Sequence, residues 1–389
     1  MRILITAGTW DHNGGKPSGL IAKMADIIMQ TNDAVCFYNG GNYENLQKIL
    51  DDTPNFDIVF WFANISNDLP KIRDVKSIAP HVMLITSKRN DDQKYSFQEL
   101  VQRTLAVKAN LTFEFSRQHG ETPMFNIRVF DPLGCQWYNG LDMQSACNAA
   151  MERLTYLKSI TRQSSTPSSE DKDLVLKYYF DCFQQNMQQD TTHTVTIPNE
   201  TEFIALVREY AQRFHEIMQP APNVRRFLGN CSIKPMPPQV GRCSKGMPSF
   251  KYKDHIFVSQ RNVNKEYLDI QHFVPVYMSD GKIYYCGENK PSVDTPIQLR
   301  LYQALPNIRY MIHSHCYVEN ADFTTRSIPC GAIEETDEIL QFIDEHYKTR
   351  NADVYRINLI GHGSIIMANT INNLKNVKYF GRPMPEPMT

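Results

Sequence analysis

This sequence has no excess of positive or negative charge. It has 41 Lys and Arg residues against 42 Asp and Glu residues, and its formal net charge is −1. Proteins whose main partner is nucleic acid or an anionic membrane usually carry an excess of positive charge, because the phosphates that they contact are negative. The sequence therefore gives no reason to expect nucleic acid or a membrane surface as a partner.

Long apolar runs and paired cysteines are missing as well. No run approaches the ~20 apolar residues that a helix needs to cross a bilayer. The first eight residues indicate a first strand rather than a signal peptide. The nine cysteines are scattered without a Cys-x-x-Cys pair, which disfavours a disulfide framework or a zinc ribbon. We expect a cytoplasmic protein with no membrane span.

The length and the order of the hydrophobic patterns predict an α/β chain with two domains. A chain of 389 residues is longer than one hydrophobic core usually supports, which is roughly 250–300 residues. Apolar strand patterns begin near residues 2, 34, 56, 82, 111 and 125, and helical patterns cover about 20–28, 43–51, 68–77, 96–109 and 142–160. This alternation is typical of βαβ units and a parallel sheet. We expect a Rossmann-like domain over residues 1–161.

The rest of the chain has a different pattern. Residues 162–173 are polar and rich in Ser, and a helical pattern follows from about 174 to 187, so 162–195 indicates a linker with a connecting helix. After a helix from about 199 to 218, alternating patterns at 255–258, 273–277 and 282–285, with Ser279 to Gly281 as a hairpin turn, predict a mainly antiparallel sheet. The second domain is expected over 196–389.

A polar, glycine-rich loop follows the first strand. It lacks a Gly-x-Gly-x-x-Gly pattern, so ordinary dinucleotide binding is not supported. Ser18 and Gly19 stand at a predicted helix start, where backbone amides favour an anion, and Lys16 adds charge. This half resembles the phosphopantothenoylcysteine synthetase (flavoprotein-like) fold in residues 4–9, 17–19 and 58–66. The resemblance implies a nucleotide or phosphate ligand held by Gly8, Thr9, Ser18 and Gly19. A scaffold or oligomerisation domain is the alternative.

Three histidines of the second half are candidates for a metal site. His313 and His315 follow a short apolar run, and side chains two apart in a strand point to the same side. His362 lies between two glycines after another apolar run, and glycine lets the backbone approach closely. Three imidazoles are a common ligand set for Zn²⁺. Histidines of ordinary structural character are the alternative.

The motifs around these histidines resemble the class II aldolase/adducin superfamily, and within it most closely the L-ribulose-5-phosphate 4-epimerase branch. That branch has Pro-Ser-Ser-Asp-Thr-Pro, a helix and then His-Thr-His. Here Pro291 to Pro296 and His313 to His315 reproduce this order with the same intervening length. The resemblance continues through Ser327 to Cys330 and in the Gly-His-Gly of residues 361–363. It covers roughly residues 196–389.

The resemblance implies a metal-dependent lyase or isomerase. His313, His315 and His362 would hold Zn²⁺, or another divalent metal such as Mn²⁺ or Co²⁺, which stabilises an enediolate derived from a sugar. Asp294 matches the catalytic carboxylate of the epimerase branch and Asp322 its acid/base aspartate. In that branch a tyrosine near the C-terminus acts across a subunit boundary, and Tyr379 is the candidate here, displaced by one position.

The same resemblance implies a site for a sugar or sugar phosphate. The family binds the phosphate with a loop, a pair of serines and a Gly-Asn turn, which correspond here to Ser259, Arg261, Asn262, Ser292 and Asn230. The second serine is replaced by Val293, and Arg261 stands where the family has a glycine-containing loop, so the substrate carries a phosphate, another acidic group or none.

Several reaction classes remain open. They are aldol cleavage or epimerisation, dehydration of a ketose phosphate, and a non-catalytic adducin-like role in assembly, which would not need the histidines. The family also implies a ring-like homo-oligomer, a tetramer in the epimerase branch.

Overall fold

A computed structural model of the chain describes residues 1–7, 18–37, 43–52, 56–62, 83–106, 109–118, 124–161, 185–193, 195–218, 229–235 and 255–380. These residues fall into two units, one within Met1–Cys182 and the other within Phe183–Pro383. The division lies in a stretch that is not described, so the predicted domain limits stay predictions. None of the helices in the described ranges has the length and apolar character needed to span a bilayer.

The first unit contains a seven-stranded sheet with the order β2-β1-β3-β4-β5-β6-β7. Its strands are β1 (Ile3–Ala7), β2 (Ala34–Phe37), β3 (Ile58–Phe62), β4 (Met83–Arg89), β5 (Leu111–Gln118), β6 (Met124–Phe130) and β7 (Gln136–Gly140). The first five are parallel, and the pairs β5–β6 and β6–β7 are antiparallel. The described helices of this unit are α1 (Gly19–Thr31), α2 (Tyr43–Asp52), α3 (Phe97–Ala106) and α4 (Met143–Ile160).

The sequence pattern explains most of this sheet. Every residue of β1 and β3 is buried, and parallel strands covered on both faces have such continuous apolar runs. The predicted parallel sheet is therefore confirmed. Strand β7 was not predicted, because its sequence is mostly polar and half-exposed at the edge of the sheet. The helix predicted at 68–77 lies outside the described residues.

The second unit contains an eight-stranded sheet with the order β15-β16-β13-β9-β10-β11-β12-β8. Its strands are β8 (Met187–Asp190), β9 (Asn230–Ile233), β10 (Ile256–Ser259), β11 (Phe273–Ser279), β12 (Lys282–Cys286), β13 (Tyr310–Ser314), β15 (Val354–Leu359) and β16 (Gly363–Ala368). The strands β14 (Tyr317–Val318) and β17 (Tyr379–Phe380) form a separate pair. All neighbours in the large sheet are antiparallel except β12 and β8, which confirms the predicted character.

Two local predictions in this unit have different outcomes. The hairpin turn is confirmed, since Asp280 and Gly281 have φ values of +50° and +73°, as a two-residue turn requires. The helix predicted to end at Met187 is wrong at that end, because Met187 begins β8 and pairs with Ile283 of β12. The four residues of β8 form a strand because they pair with β12 at the edge of the sheet, and the local sequence pattern does not indicate that pairing.

Helices cover both faces of the large sheet. On one face lies α5 (Thr201–Met218), whose Phe203 belongs to the same cluster as Ile312. On the other lie α6 (Thr295–Ala304) and α7 (Glu335–His346), whose side chains pack in one cluster with Met311. Because neighbouring residues of a strand face opposite sides, His313 points to the same face as Met311. The His313 side chain near the end of β13 is thus directed toward the face that α6 and α7 cover.

Candidate metal centre

The structure brings the three predicted histidine ligands together. His313 is the second-last residue of β13, and His315 directly follows the strand. His362 lies in the turn between β15 and β16, and β16 pairs with β13. One ring nitrogen from each of the three lies within 4.8 Å of the others. The ring centroids are separated by 4.6 Å for His313 and His362, 5.2 Å for His313 and His315, and 5.5 Å for His315 and His362. Pairing of two adjacent strands therefore creates the cluster.

His313 has the protonation state that a metal ligand needs. Its Nδ1 donates to the carbonyl oxygen of Ser364 at 2.9 Å, which leaves the lone pair on Nε2. That Nε2 is buried and has no hydrogen-bond partner within the described residues. Burial, and then the charge of His362, lower the pKa of His313 to about 4, so the ring is neutral near pH 7. A buried nitrogen with an unused lone pair suits a divalent cation.

A buried carboxylate orients His362. Glu335, the first residue of α7, is 3% exposed, and its Oε1 lies 2.6 Å from Nδ1 of His362. Metal-binding histidines almost always donate their other ring nitrogen to such a group, which fixes the ring and its tautomer. Burial raises the pKa of the Glu335 carboxyl well above its usual value, and the charge of Asp294 acts in the same direction. The sequence did not indicate Glu335 as a site residue, because acidic residues are common in the first turn of a helix, where they stabilise the helix dipole.

Asp294 lies beside the histidines and is held by three donors. It is the N-cap of α6, yet its side chain makes no capping bond. Instead Oδ2 accepts from Nδ2 of Asn230 at 2.7 Å, and Oδ1 accepts from the amide of Gly331 at 3.0 Å and from Sγ of Cys330 at 3.1 Å. Ligand atoms of Asp294, Cys330 and His362 lie within 4.8 Å of one another. The carboxylate that the sequence indicated as catalytic is thus next to the cluster.

Cys330 is a site residue that the sequence did not reveal, although it ends the quoted Ser-Ile-Pro-Cys motif. Its side chain is 4% exposed, and burial followed by the charge of Asp294 raises the pKa of the thiol well above its usual value. The group therefore remains a thiol and acts as a donor to Asp294.

The segments with the predicted substrate-binding residues are linked to each other. The backbone N–H of Ser292 donates to the carbonyl oxygen of Ser259 at 3.2 Å. The backbone N–H of Arg261 donates to the carbonyl oxygen of Lys290 at 2.9 Å. Nε of Arg261 also donates to the carbonyl oxygen of Pro291 at 3.3 Å. Asn262 has a positive φ of 63° at the loop's turn. The loop after β10 and the segment before α6 thus form one wall.

Asn230 connects this wall to the catalytic candidate. Besides donating to Asp294, it accepts through Oδ1 from Nε2 of Gln298 on α6. Its neighbour Cys231 donates its amide to Oγ of Ser259 at 3.1 Å. Hydrogen bonds therefore connect Asn230, Ser259 and Ser292 near the start of α6, and their role in binding a substrate stays a prediction.

Two predicted catalytic residues are not brought to the histidines within one chain. The Asp322 side chain is 79% exposed and lies 3.8 Å from Nδ1 of His346, in a surface pocket that no histidine of the cluster lines. The Tyr379 ring packs against Tyr210 and Phe214 on the α5 side, and its hydroxyl is buried without a hydrogen-bond partner in the described part of the chain. Their catalytic roles stay predictions.

In the first unit only part of the predicted anion site is described. Ser18 is the N-cap of α1, and its Oγ accepts from the amide of Ile21 at 3.5 Å. Gly19 begins the helix, whereas Gly8 and Thr9 lie outside the described residues. A phosphate or nucleotide ligand of this unit stays a prediction.

Comparison with known proteins gives a match in the second half of the chain. Residues 221–321 match the family model of the Class II Aldolase and Adducin N-terminal domain. No curated protein sequence matches the chain. This match supports an aldolase-like function for the domain, and proteins of the family bind small-molecule substrates.

Solved structures are similar to parts of the chain. An L-fuculose 1-phosphate aldolase has 13% identity and a TM-score of 0.31, covering 46% of this chain and 81% of its own. The DNA/pantothenate metabolism flavoprotein from Streptococcus pneumoniae has 11% identity and a TM-score of 0.30, and the match covers 40% of this chain and 98% of the flavoprotein. The C-terminal domain of the coenzyme A biosynthesis bifunctional protein CoaBC has 14% identity and a TM-score of 0.29, and the match covers 41% of this chain and 96% of that domain. The segment of this chain that matches a family model is therefore residues 221–321, which are similar to the Class II Aldolase and Adducin N-terminal domain.

Proposed function

We propose that the second unit is a divalent-metal-dependent lyase or isomerase that acts on a small phosphorylated or acidic sugar. The observation that carries this proposal is the cluster of His313, His315 and His362, with the unused lone pair of His313 inside it. The surroundings of the cluster add support, because the acidic side chains of Asp294 and Glu335 are both buried beside the imidazoles. A cation offsets such a concentration of acidic groups.

The donor set fits zinc, manganese or cobalt in the +2 state. Three histidine nitrogens leave a coordination position for substrate, which distinguishes catalytic from structural zinc sites. When bound, such a cation acts as a Lewis acid that polarises a carbonyl oxygen and stabilises an enediolate.

The protein's own residues supply position and proton transfer. Asn230 and Gly331 hold the two oxygens of Asp294 in fixed directions, and Cys330 adds a third donor. A carboxylate that is fixed in this way beside the histidines is placed to take a proton from a bound sugar and to return it. The Glu335 carboxylate keeps His362 oriented, and the Ser364 carbonyl does the same for His313.

Metal analysis of the purified full chain is the first test. We expect about one divalent ion per chain, lost in His313→Ala and His362→Ala while circular dichroism shows the fold retained. His215→Ala is the matched control, because this exposed histidine of α5 lies outside the cluster. Metal-free wild-type protein that takes up no zinc in titration would refute the proposal and would favour an adducin-like role in assembly.

A screen of sugar phosphates and sugar acids for turnover is the second test. Products with a new carbonyl group distinguish aldol cleavage from epimerisation, and loss of water indicates a dehydratase. Asp294→Asn should keep the metal and lose turnover by about 10²–10⁴-fold, the usual contribution of a general acid or base. An unchanged rate in that variant would remove Asp294 from the mechanism.

A further inference from the structure

A second group of possible metal ligands lies beside the three-histidine cluster, and it includes a sulfur atom. Its members are Asp294, Cys330 and His362, and one ligand atom of each lies within 4.8 Å of the others. All three side chains are buried, with exposed fractions of 6%, 4% and 0%. His362 belongs to both groups. Cys330 is therefore the residue that gives this second position a different chemistry from that of the histidine cluster.

A tight turn holds Cys330 against the carboxylate of Asp294. The backbone N–H of Ala332 donates to the carbonyl oxygen of Pro329 at 3.1 Å, which closes the turn. Gly331 has a φ of +80°, as the third residue of a type II turn requires. The backbone N–H of Gly331 and Sγ of Cys330 then both reach Oδ1 of Asp294, at 3.0 Å and 3.1 Å. The turn thus determines where the sulfur lies.

The distance between the sulfur and the carboxylate suits a common cation. Zn–S bonds of about 2.3 Å and Zn–O bonds of about 2.0 Å place sulfur and oxygen about 3.5 Å apart in a tetrahedral site. Sγ of Cys330 and Oδ1 of Asp294 are 3.1 Å apart, because the thiol donates a hydrogen bond to the carboxylate. A cation that replaces the thiol proton needs the two atoms to separate by only about 0.4 Å. The thiolate is the form that binds metals, so this proton leaves to solvent.

His362 can serve only one of the two positions at a time. Its Nδ1 lies 2.6 Å from Oε1 of Glu335, and a metal-binding histidine that is oriented in this way binds the cation through its other nitrogen, Nε2. One ring nitrogen has one lone pair and therefore binds one cation. A cation held by the three histidines thus excludes a cation held by Cys330 and Asp294.

We propose that Cys330, Asp294 and His362 form an alternative metal position, which binds a thiophilic divalent cation through the sulfur of Cys330. Soft thiolate ligands favour Zn²⁺ and softer cations over Mn²⁺ or Mg²⁺. Because binding there costs the thiol proton, we expect this position to fill when such a cation is added rather than to retain one through purification. Under the proposed function, a cation in this position occupies the carboxylate that moves the proton, and it therefore inhibits turnover.

Cadmium titration of the metal-free full chain tests the proposal, because a cadmium–thiolate bond gives a charge-transfer absorption band in the ultraviolet. We expect the wild type to develop this band. Cys330→Ser should lose it, and since a serine hydroxyl can still donate to Asp294, this variant separates the sulfur from the hydrogen bond. Cys330→Ala should lose the band as well. Cys316→Ala is the matched control and should keep the band, because this buried cysteine belongs to the cluster on the opposite face of the sheet.

Two histidine variants test which ligands the cadmium ion uses. His313→Ala should keep the band, because His313 is not a member of this group, and His362→Ala should lose it. A band of full intensity in Cys330→Ser would overturn the proposal, and so would the absence of a band from both the wild type and His313→Ala. Circular dichroism checks that each variant retains the fold.

The metal content of the purified wild type separates this inference from the proposed function. If the purified protein holds no metal and takes up no zinc at the histidines, but shows a cadmium band that depends on Cys330, the proposed function fails and the sulfur position stands. If the purified protein holds its metal and no band depends on Cys330, the sulfur position fails and the proposed function stands.

Discussion

Replacing Gly363 by alanine is expected to disrupt the histidine cluster without changing any of its ligands. Gly363 has a φ of +134°, which side chains rarely adopt, and it begins β16 next to His362. A Cβ atom there would lie 2.0 Å from the carbonyl oxygen of Ser314 and 2.7 Å from Cα of His315. Both are backbone atoms, so no side-chain rotation relieves the overlap. The strands that carry the three histidines must move apart.

The magnitude follows from two contributions. A non-glycine residue in this backbone region costs about 1–3 kcal/mol, and inserting an extra carbon into a packed contact costs about 1–3 kcal/mol more. We expect Gly363→Ala to lower the free energy of unfolding by about 2–6 kcal/mol. Gly281→Ala is the matched control, since Gly281 has a φ of +73° with nothing within 4 Å of the added atom. That variant should lose only about 1–2 kcal/mol.

Denaturant unfolding and metal analysis measure the two consequences. Gly363→Ala should lose bound metal along with stability, and Gly281→Ala should retain the metal. Gly229→Ala tests the opposite edge of β13, where β9 pairs with it, because a Cβ at Gly229 would lie 2.0 Å from the carbonyl oxygen of His313. Equal metal content and unfolding free energies within about 1 kcal/mol for Gly363→Ala and Gly281→Ala would refute the reasoning.

Three further predictions concern charged residues. Glu335→Gln should weaken zinc affinity about 10–100-fold in a chelator competition, because the ring of His362 loses the carboxyl group that orients it; equal affinity would contradict that role. Asp322→Asn should keep the metal and lower turnover by about 10²–10⁴-fold if the resemblance carries over, and an unchanged rate would exclude it. Lys265→Met should raise the melting temperature, because Lys265 is buried and burial lowers the pKa of its ammonium group to about 8. A pKa of about 8 instead of 10.5 corresponds to about 3 kcal/mol, so the folded protein carries this penalty fully below pH 8. Since the folded state releases the proton at lower pH than the unfolded state, the penalty decreases as pH rises from about 8 to 10.5. The difference in melting temperature between variant and wild type should narrow over that range, and a constant difference would contradict the assignment.

The histidine cluster could be predicted from the sequence because it depends on local geometry. His313 and His315 are two residues apart at a strand end, so their common direction follows from the alternation of side chains alone. The glycines beside His362 signalled a close backbone approach, and Gly363 does contact β13 with its backbone. The parallel sheet of the first unit was predicted for a similar reason, since its buried strands are continuous apolar runs.

The partners of these residues could not be predicted in the same way. Glu335 and His362 are 27 positions apart, and Asp294 and Cys330 are 36 positions apart. Which carboxylate meets which imidazole depends on how α6 and α7 pack on the sheet, and no local pattern encodes that. Lys265 gave even less signal, because a lysine in a polar loop is normally exposed. Its burial follows from the packing of the whole unit.

The register of one strand pair determines whether the candidate site exists at all. Residues His313 and Ile365 are partners in the pairing of β13 with β16, and Ile365 packs in the core beneath α6 and α7. A slip by one residue would turn Ile365 toward the opposite face and place a serine in that core, which the burial of both faces prevents. The same hydrophobic alternation that stabilises the sheet thereby fixes how far His362 lies from His313. The pairing of β13 with β16 thus positions the cluster, and the Ser364 carbonyl and the Glu335 side chain orient His313 and His362 within it.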